Sequence, residues 1–546
     1  MSLPSLDSLP SWTLLKDQAA EMQRPENHLR HLLTDPRRLE DFSRHGAGLF
    51  FDYSRQRVMH QTIAALLTLA GERAVSERFG AMCRGEIVNP TEQRAALHTA
   101  ARRLDPGAVM LQGHDVMPEI RAVRQQIREF AEAVHAGRIT GSTGKPFRDI
   151  VVVGIGGSYL GTEFVAHALA EDAHPGMRLH FLANVDVHNF GRIAARIDAP
   201  ATLWVIISKS YTTTETMANA LQAEHFMRSQ GLDPARHTVT VTAKGSPGDD
   251  PSRPVLAVFH MFDYIGGRYS VTSAVGGVPL SLYLGYSHFE ALLRGASEMD
   301  RHAAETPAEG NLPLLAALLT IWNTNLLGYP AQAIIPYADP LSRLAPHVQQ
   351  LNMESNGKSV DTEGRPLTMA SGPIIFGEPG TNAQHSFFQL AHQGRPFPID
   401  FIGVVRPRYA AGDHLSKGVT NHQELWANLI AQPGALATGR GGGPPERCFE
   451  GNRPSSTLLM ENLSALNIGR LLAFYEARTV FEAFLWGLNP FDQYGVELGK
   501  TMASGLRTQM AGRNAGQPFS ADLDPTARWY HETLFRGGFS KDSSPQ

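Results

Sequence analysis

The chain has 546 residues, of which 42% are hydrophobic and 19% charged; this excludes a disordered chain, and at roughly 150 residues per domain the length asks for about two to four domains. A net charge of -4 without a long basic run argues against nucleic acid as the main partner, yet it allows a local site for an anion. Only two cysteines occur, Cys83 and Cys448, without the spacing of a zinc site or a redox pair.

The opening "MSLPSLDSLPSWTLLKDQ" lacks a basic stretch followed by an apolar one, and no apolar run approaches the roughly 20 residues of a membrane helix, so a cytoplasmic protein is expected. Residues 10 to about 110 read mainly as helix, with apolar residues at helical spacing in "HLRHLLTDPRRLEDF" and "MHQTIAALLTLAGERAVSERFGAM". In "GEIVNPTEQRAALHTAARR", Asn89 as cap, Pro90 at the first position and Glu92 as the acid of a capping box predict a helix start.

From about 148 the pattern changes to short β-branched runs followed by helical ones: "RDIVVVGIGGS", "MRLHFLANV", "ATLWVIISKS" and "HTVTVTAK". Such alternation predicts an α/β domain with a largely parallel, buried sheet. In the first unit Gly154, Gly156 and Gly157 allow close approach of backbone to a ligand, and the helix that follows, with Leu160, Phe164, Ala168 and Leu169 on one side, offers free N–H groups to an anion. Tight strand-to-helix packing explains such a turn equally well. It is not a P-loop, because no GK[ST] follows, and the spacing departs from GxGxxG.

"VIISKSYTTTET" repeats the arrangement with Ser208, Ser210, Thr212, Thr213, Thr214 and Lys209 before a helix, enough donors to wrap a phosphate dianion; a Ser/Thr capping cluster is the alternative. Arg268 follows two glycines in "FDYIGGRYSVTSAVGG", either as a fixed cation near an anion or as a surface side chain. A polar helical segment around 285 to 312 reads as a crossover to a second α/β stretch. There "QAIIPYA", "GPIIF" and "PIDFIGVV" are candidate strands and "LPLLAALLTIWNTNLLG" a helix. No sequence repeat links the two halves.

Within the second stretch "QQLNMESNGKSV" holds one acidic residue, Glu354, among amides, a glycine and a lysine, which alone reads as a solvated turn. His385 precedes an aromatic helix in "GTNAQHSFFQL", and Gln493 and Lys500 share "NPFDQYGVELGK"; each has a structural or solvated reading beside a catalytic one. "ATGRGGGPPERCFEGNRPS" is expected to be a surface loop and "SKDSSPQ" a frayed tail.

Taken together, GIGGS, SKSYTTTET, GGRYS, QQLNMESNGK, GTNAQHSFFQL and FDQYGVELGK resemble, in order, the signature segments of the glucose-6-phosphate isomerase family, and "GEIVNPTEQRAALH" and "FEGNRPSS" look like family segments too. The resemblance covers nearly the whole chain. It implies an α/β fold of two flavodoxin-like sugar-isomerase (SIS) domains with parallel sheets flanked by helices, plus helical N-terminal and C-terminal extensions. The implied division is a helical N-terminal region at 1–115 packing on the larger domain, a first SIS domain at 116–295, a second at 296–510, and a C-terminal arm and tail at 511–546. The implied reaction is the reversible interconversion of glucose 6-phosphate and fructose 6-phosphate, in glycolysis and gluconeogenesis.

By the same resemblance Glu354 is the base that moves a proton between C1 and C2, and Arg268 is the cation facing the cis-enediolate. His385 and Lys500 match the ring-opening residues. Ser208, Ser210 and Thr213 match the phosphate-binding hydroxyls, with Lys209, Ser158 and Gly157 lining the same cleft and Gln350 and Gln493 at substrate-binding positions. No step makes a hydride or a radical, so neither nicotinamide nor metal is required. The family pattern also implies a homodimer in which the histidine reaches the neighbouring chain's site.

Some positions depart from that pattern: Ser210 stands where threonine is usual, Tyr494 where tryptophan is usual, and "SVTSAVGG" replaces a segment that usually carries a tryptophan. Ser210 keeps its hydroxyl, and the proposed acid, base and cation are intact. The alternative is a non-catalytic sugar-phosphate-binding SIS protein, which has no chemical reason to assemble Glu354, His385 and Lys500. A nicotinamide dehydrogenase is weaker still, lacking the glycine spacing and the acid after the second strand. The sequence does not separate this activity from one that also accepts mannose 6-phosphate.

Overall fold

The structure, a computed structural model, describes residues 4–518 and 523–539, so the tail "SKDSSPQ" lies outside the described residues. The chain divides into two compact units, Met1–Phe491 and Asp492–Gln546. In the first unit eleven strands build two sheets: β1 (Ser43–Gly46), β2 (Leu49–Asp52), β3 (Asp149–Val153), β4 (Arg178–Leu182), β5 (Thr202–Ile207), β6 (Thr238–Ala243), β7 (Ala257–Met261), β8 (Ala331–Tyr337), β9 (Ile374–Phe376), β10 (Ile399–Val404) and β11 (Ser455–Met460).

One sheet runs β7-β6-β5-β3-β4 and is parallel throughout. Every residue of β3 and β5 is buried, as expected for strands covered by helices on both faces. Each fully buried Val or Ile there contributes about 1.5–3 kcal/mol relative to exposure. The other sheet runs β1-β2-β11-β10-β8-β9; its last four strands are parallel, and the β1–β2 hairpin adds to β11 in antiparallel fashion. Strands β6-β5-β3-β4 and β11-β10-β8-β9 follow the same order, so the two halves are kin in topology although no sequence repeat links them.

The helix Ala465–Trp486 is buried along almost its whole length. It packs on the helices Tyr286–Glu305 and Leu312–Ile321. Its approach to the former depends on paired glycines: a Cβ on Gly295 would stand 1.8 Å from the Leu466 carbonyl oxygen, and one on Gly469 would stand 2.0 Å from that of Leu292. The helix also carries buried charge. Arg102, itself fully buried, donates to Asp300 from both Nε and Nη2 at 2.6 Å and also to the Glu476 carboxylate.

Several expectations need correction. The segment from Asn89 to Glu92 is not a helix start but the turn of a small antiparallel hairpin between Ile87–Asn89 and Arg94–Ala95. The capping-box side chains do meet, since Asn89 Nδ2 donates to the Glu92 carboxylate at 2.9 Å, but Gln93 at φ 54° reverses the chain. Asn489 then holds the turn by donating to Asn89 Oδ1 at 2.8 Å and Thr91 Oγ1 at 2.7 Å, a tertiary contact that outweighs local propensity. The region from 10 to about 110, expected to be mainly helical, also carries β1 and β2, which extend the second sheet. The expected surface loop after residue 437 is anchored at its far end, where Asn452 and Arg453 donate backbone N–H groups to Ala437 and Leu436 and Ser455 opens β11. Strands β1, β2, β7 and β11 have no counterpart among the expected strands.

The second unit contains the single turn Tyr494–Val496 and the helices Glu497–Asn514 and Pro525–Arg536; Asp524 caps the latter by accepting from the N–H groups of Thr526 and Ala527. Among the described residues no helix is long and apolar enough to cross a membrane.

Candidate active site

The glycine turn, the hydroxyl loop and the Arg268 turn leave the carboxyl ends of strands, where open α/β sheets gather ligands. After β3 comes the turn Gly156–Ser158 and then the helix Leu160–Ala168. A Cβ on Gly157 would lie 2.2 Å from the carbonyl carbon of Gly267 and 2.6 Å from the Arg268 nitrogen, so glycine here lets this turn rest on the one that carries Arg268. Ser270 Oγ donates across the same junction to the Gly157 carbonyl at 3.3 Å. Gly156 faces Gln350, whose Nε2 would be 3.1 Å from an added Cβ.

After β5 the hydroxyl loop folds on itself. Ser208 is buried; its Oγ accepts the Tyr211 N–H at 3.1 Å and donates to Thr213 Oγ1 at 3.4 Å, while Ser210 and Thr212 share a hydroxyl bond of 2.7 Å. Tyr211 takes φ 54° to make that turn. Thr213 stands at the cap of the helix Thr214–Ser229 without using its side chain as the cap, so the first-turn N–H groups keep their pull on an anion. Lys209 turns elsewhere: Nζ donates to the carbonyls of Asp263 at 2.9 Å and Ile265 at 3.5 Å and pairs with the Asp263 carboxylate at 3.5 Å. It thereby ties the hydroxyl loop to the segment leading into Gly266. Desolvation lowers its pKa from the ordinary lysine value, with Asp263 opposing.

After β7 the turn Gly267–Tyr269 buries Arg268. Its guanidinium donates from Nε to Ser355 Oγ at 2.7 Å, from Nη1 to Glu354 Oε2 at 3.3 Å and from Nη2 to the Pro490 carbonyl. Tyr269 OH lies 3.0 Å from the same Ser355 hydroxyl; burial pushes its phenol pKa up to about 12, with Arg268 opposing, which keeps it protonated.

Glu354 is no solvated turn residue. It follows a wide helical turn, Gln349–Met353, in which backbone hydrogen bonds span five residues, a deformation frequent at functional sites. Its half-buried carboxylate accepts from Arg268 and, at 3.3 Å, from Gln350 Nε2. The structure thus brings together Glu354, Arg268, Gln350 and the Gly156–Gly157 turn. Ser355, Tyr269 and Pro490 belong to the same cluster and were not singled out from the sequence.

His385 is exposed at the end of the turn Asn382–His385 and makes no hydrogen bond or ion pair with the Glu354 cluster; its neighbour Gln384 donates to Tyr337 OH at 2.9 Å. Lys500 lies in the helix Glu497–Asn514, and Gln493 just before the turn Tyr494–Val496, both in the second unit. Among the described residues no group of three or more His, Cys, Asp and Glu side chains is placed to hold a metal ion.

A separate cavity of about 370 Å³ opens at the carboxyl ends of β8 and β10, lined by residues including Tyr337, Asp339, Arg406, Arg408 and His422 and by none of the Glu354 cluster. Beside it the helix Asn421–Thr438 begins with its first N–H groups already engaged: Asp413 accepts from the His422 N–H at 3.2 Å, and Thr420 Oγ1 accepts from Gln423.

The family model for phosphoglucose isomerase matches residues 52–524. A glucose-6-phosphate isomerase of Desulfosudis oleivorans is 64% identical over 544 residues, 98% of this chain and 100% of the relative. The cytosolic glucose-6-phosphate isomerase of Arabidopsis thaliana is 43% identical over 92% of each chain. Among solved structures, a glucose-6-phosphate isomerase from Chlamydia trachomatis superposes with a TM-score of 0.88 at 36% identity, covering 97% of this chain and 99% of its own.

Proposed function

This chain belongs to the phosphoglucose isomerase family, and on that premise we propose that it interconverts glucose 6-phosphate and fructose 6-phosphate through a cis-enediolate, as an enzyme of glycolysis and gluconeogenesis. The observation that carries the reading is the Arg268–Glu354 pair at 3.3 Å, set among strand-end loops. C1 and C2 are adjacent, so one carboxylate on one face collects the proton from one carbon and returns it to the other. As Glu354 takes the proton, negative charge leaves the carboxylate and appears on the substrate oxygens. Arg268, held by Ser355 and Pro490, stays in place through that transfer and needs no reorganisation to meet the new charge.

Ser208, Ser210 and Thr213, with the first-turn N–H groups behind them and Gly157 and Ser158 alongside, would hold the phosphate, and Gln350 and Gln493 the sugar hydroxyls. Lys209 would act by fixing the loop, given its bonds to Asp263 and Ile265. His385 and Lys500 would open the ring, passing a proton between the C1 hydroxyl and the ring oxygen. We assign the site to a cytoplasmic homodimer in which His385 serves the neighbouring chain. We read SIS domains at 116–295 and 296–510, flanked by 1–115 and 511–546: the sheet β7-β6-β5-β3-β4 falls within the first and the parallel strands β8 to β11 within the second.

The test is direct: purified protein given fructose 6-phosphate should form the aldose, and Glu354→Gln should lower turnover by roughly two to four powers of ten while sugar-phosphate binding survives. Binding without turnover by the parent protein would favour the non-catalytic sugar-phosphate binder instead. Near-normal turnover by Glu354→Gln would remove Glu354 from the role of base.

A further inference from the structure

The turn that carries Glu354 has two faces. Gln350 and Glu354, four residues apart, meet at 3.3 Å on the side where Gln350 faces Gly156 and Glu354 meets Arg268. Asn352 and Asn356, also four apart but offset by two, are buried on the opposite side, and both Nδ2 groups donate to a single oxygen, Oε2 of Glu482, at 2.5 and 3.0 Å. Residues two apart in a helical turn face away from each other, so what grips the asparagines sets the rotation of Glu354 toward Arg268.

Glu482 is fully buried in the Ala465–Trp486 helix. Its other oxygen, Oε1, accepts from Thr320 Oγ1 at 2.6 Å and from Arg478 Nε at 2.9 Å. Arg478 continues to Asp400 at 2.5 Å and to Gln332 Oε1 at 2.8 Å. A buried carboxylate of this kind is costly, and well-packed apolar side chains often serve stability as well or better. What it adds here is direction: two converging hydrogen bonds on one oxygen fix both the height and the rotation of the turn.

We propose that Glu482, acting through Asn352 and Asn356, is a positioning residue for the carboxylate of Glu354. The inference rests on the reading of Glu354 as the base. It accounts for a charged network beneath an apolar scaffold at the point where a proton-transfer group must be held to a fraction of an ångström. A misplacement of about 1 Å costs on the order of 100-fold in rate.

The experiment compares variants on the two sides of Glu482. Asn352→Ala, Asn356→Ala and Glu482→Gln loosen the near side, while Gln332→Leu removes a far-side partner of Arg478 without touching the turn. Each is measured for melting temperature, kcat, KM and the deuterium isotope effect on kcat with glucose 6-phosphate labelled at C2. The near-side variants should lower kcat by about 10- to 100-fold with little change in KM, and their isotope effect should rise as C–H cleavage becomes rate-limiting. Gln332→Leu should lower the melting temperature while keeping the parent's kcat and isotope effect. If Asn352→Ala and Asn356→Ala keep the parent's kcat, or lose activity with an unchanged isotope effect, the positioning role is overturned. Glu354→Gln run in parallel keeps the two questions apart: its near-normal turnover would sink the base, whereas an inactive Glu354→Gln beside fully active asparagine variants would sink only the positioning.

Discussion

Arg268 and Glu354 stand 86 positions apart in the chain and 3.3 Å apart in space, and the arginine holds that distance with two further anchors, the Ser355 hydroxyl and the Pro490 carbonyl. A lysine at this position offers charge but no planar fork, and cannot reach all these acceptors from fixed directions. Arg268→Lys should therefore lower kcat by about 100- to 1,000-fold, the range seen when one preorganised donor is lost, with a smaller effect on KM. Steady-state kinetics with fructose 6-phosphate checks it; a variant with the parent's kcat would take the cation out of the chemistry.

Gly157 is where the first glycine turn rests on the Arg268 turn. In Gly157→Ala the new methyl would meet backbone atoms of Gly267 and Arg268 at 2.2 to 2.6 Å, and backbone cannot swing aside as a side chain can. The cost should be about 1–3 kcal/mol of stability, with turnover reduced because Arg268 is displaced. Thermal unfolding and activity on one preparation test both, and an unchanged melting temperature would mean that the contact is looser than drawn.

The hydroxyl loop should govern affinity rather than turnover. A charge-assisted hydrogen bond contributes about 1.5–3 kcal/mol, so Ser210→Ala and Thr213→Val should each raise KM for fructose 6-phosphate by about one to two powers of ten with little change in kcat. Free fructose should be a very poor substrate for the parent and indifferent to either change. Normal binding of the phosphate ester by both variants would return the loop to a helix-capping role.

If His385 serves the neighbouring chain, two inactive proteins should repair one another. Mixing Glu354→Gln with His385→Ala under conditions of subunit exchange should restore up to about a quarter of the parent activity, since half of the chains sit in hybrids and one site of each hybrid holds both intact residues. Mass spectrometry verifies the exchange. Proven exchange without recovery would assign both residues to the same chain's site.

Much of this was legible in sequence because the decisive features are local. The glycine turn, the hydroxyl loop and seven of the strands announce themselves within a dozen residues each. Glu354 did not, since its setting is made by Arg268, Gln350 and the wide turn beneath it, and only the company of the other motifs lifted it above a surface turn. The partners of Arg268 could not be read at all: Ser355 is 87 positions away and Pro490 222. Strand β11 was hidden behind a glycine- and proline-rich run. The hairpin at Asn89 was misread because a capping-box pattern and a tertiary contact with Asn489 use the same side chains.

The shared strand order of the two sheets does not make their helix starts equivalent. By strand order alone the two halves match, with one helix start at each switch point. In the first half the helix after β5 starts with N–H groups that no side chain caps, whereas in the second half the corresponding helix after β10 starts against Asp413 and Thr420. The second half fills its helix start with its own carboxylate, Asp413, so the doubled strand order does not give two equivalent helix starts open to an anion.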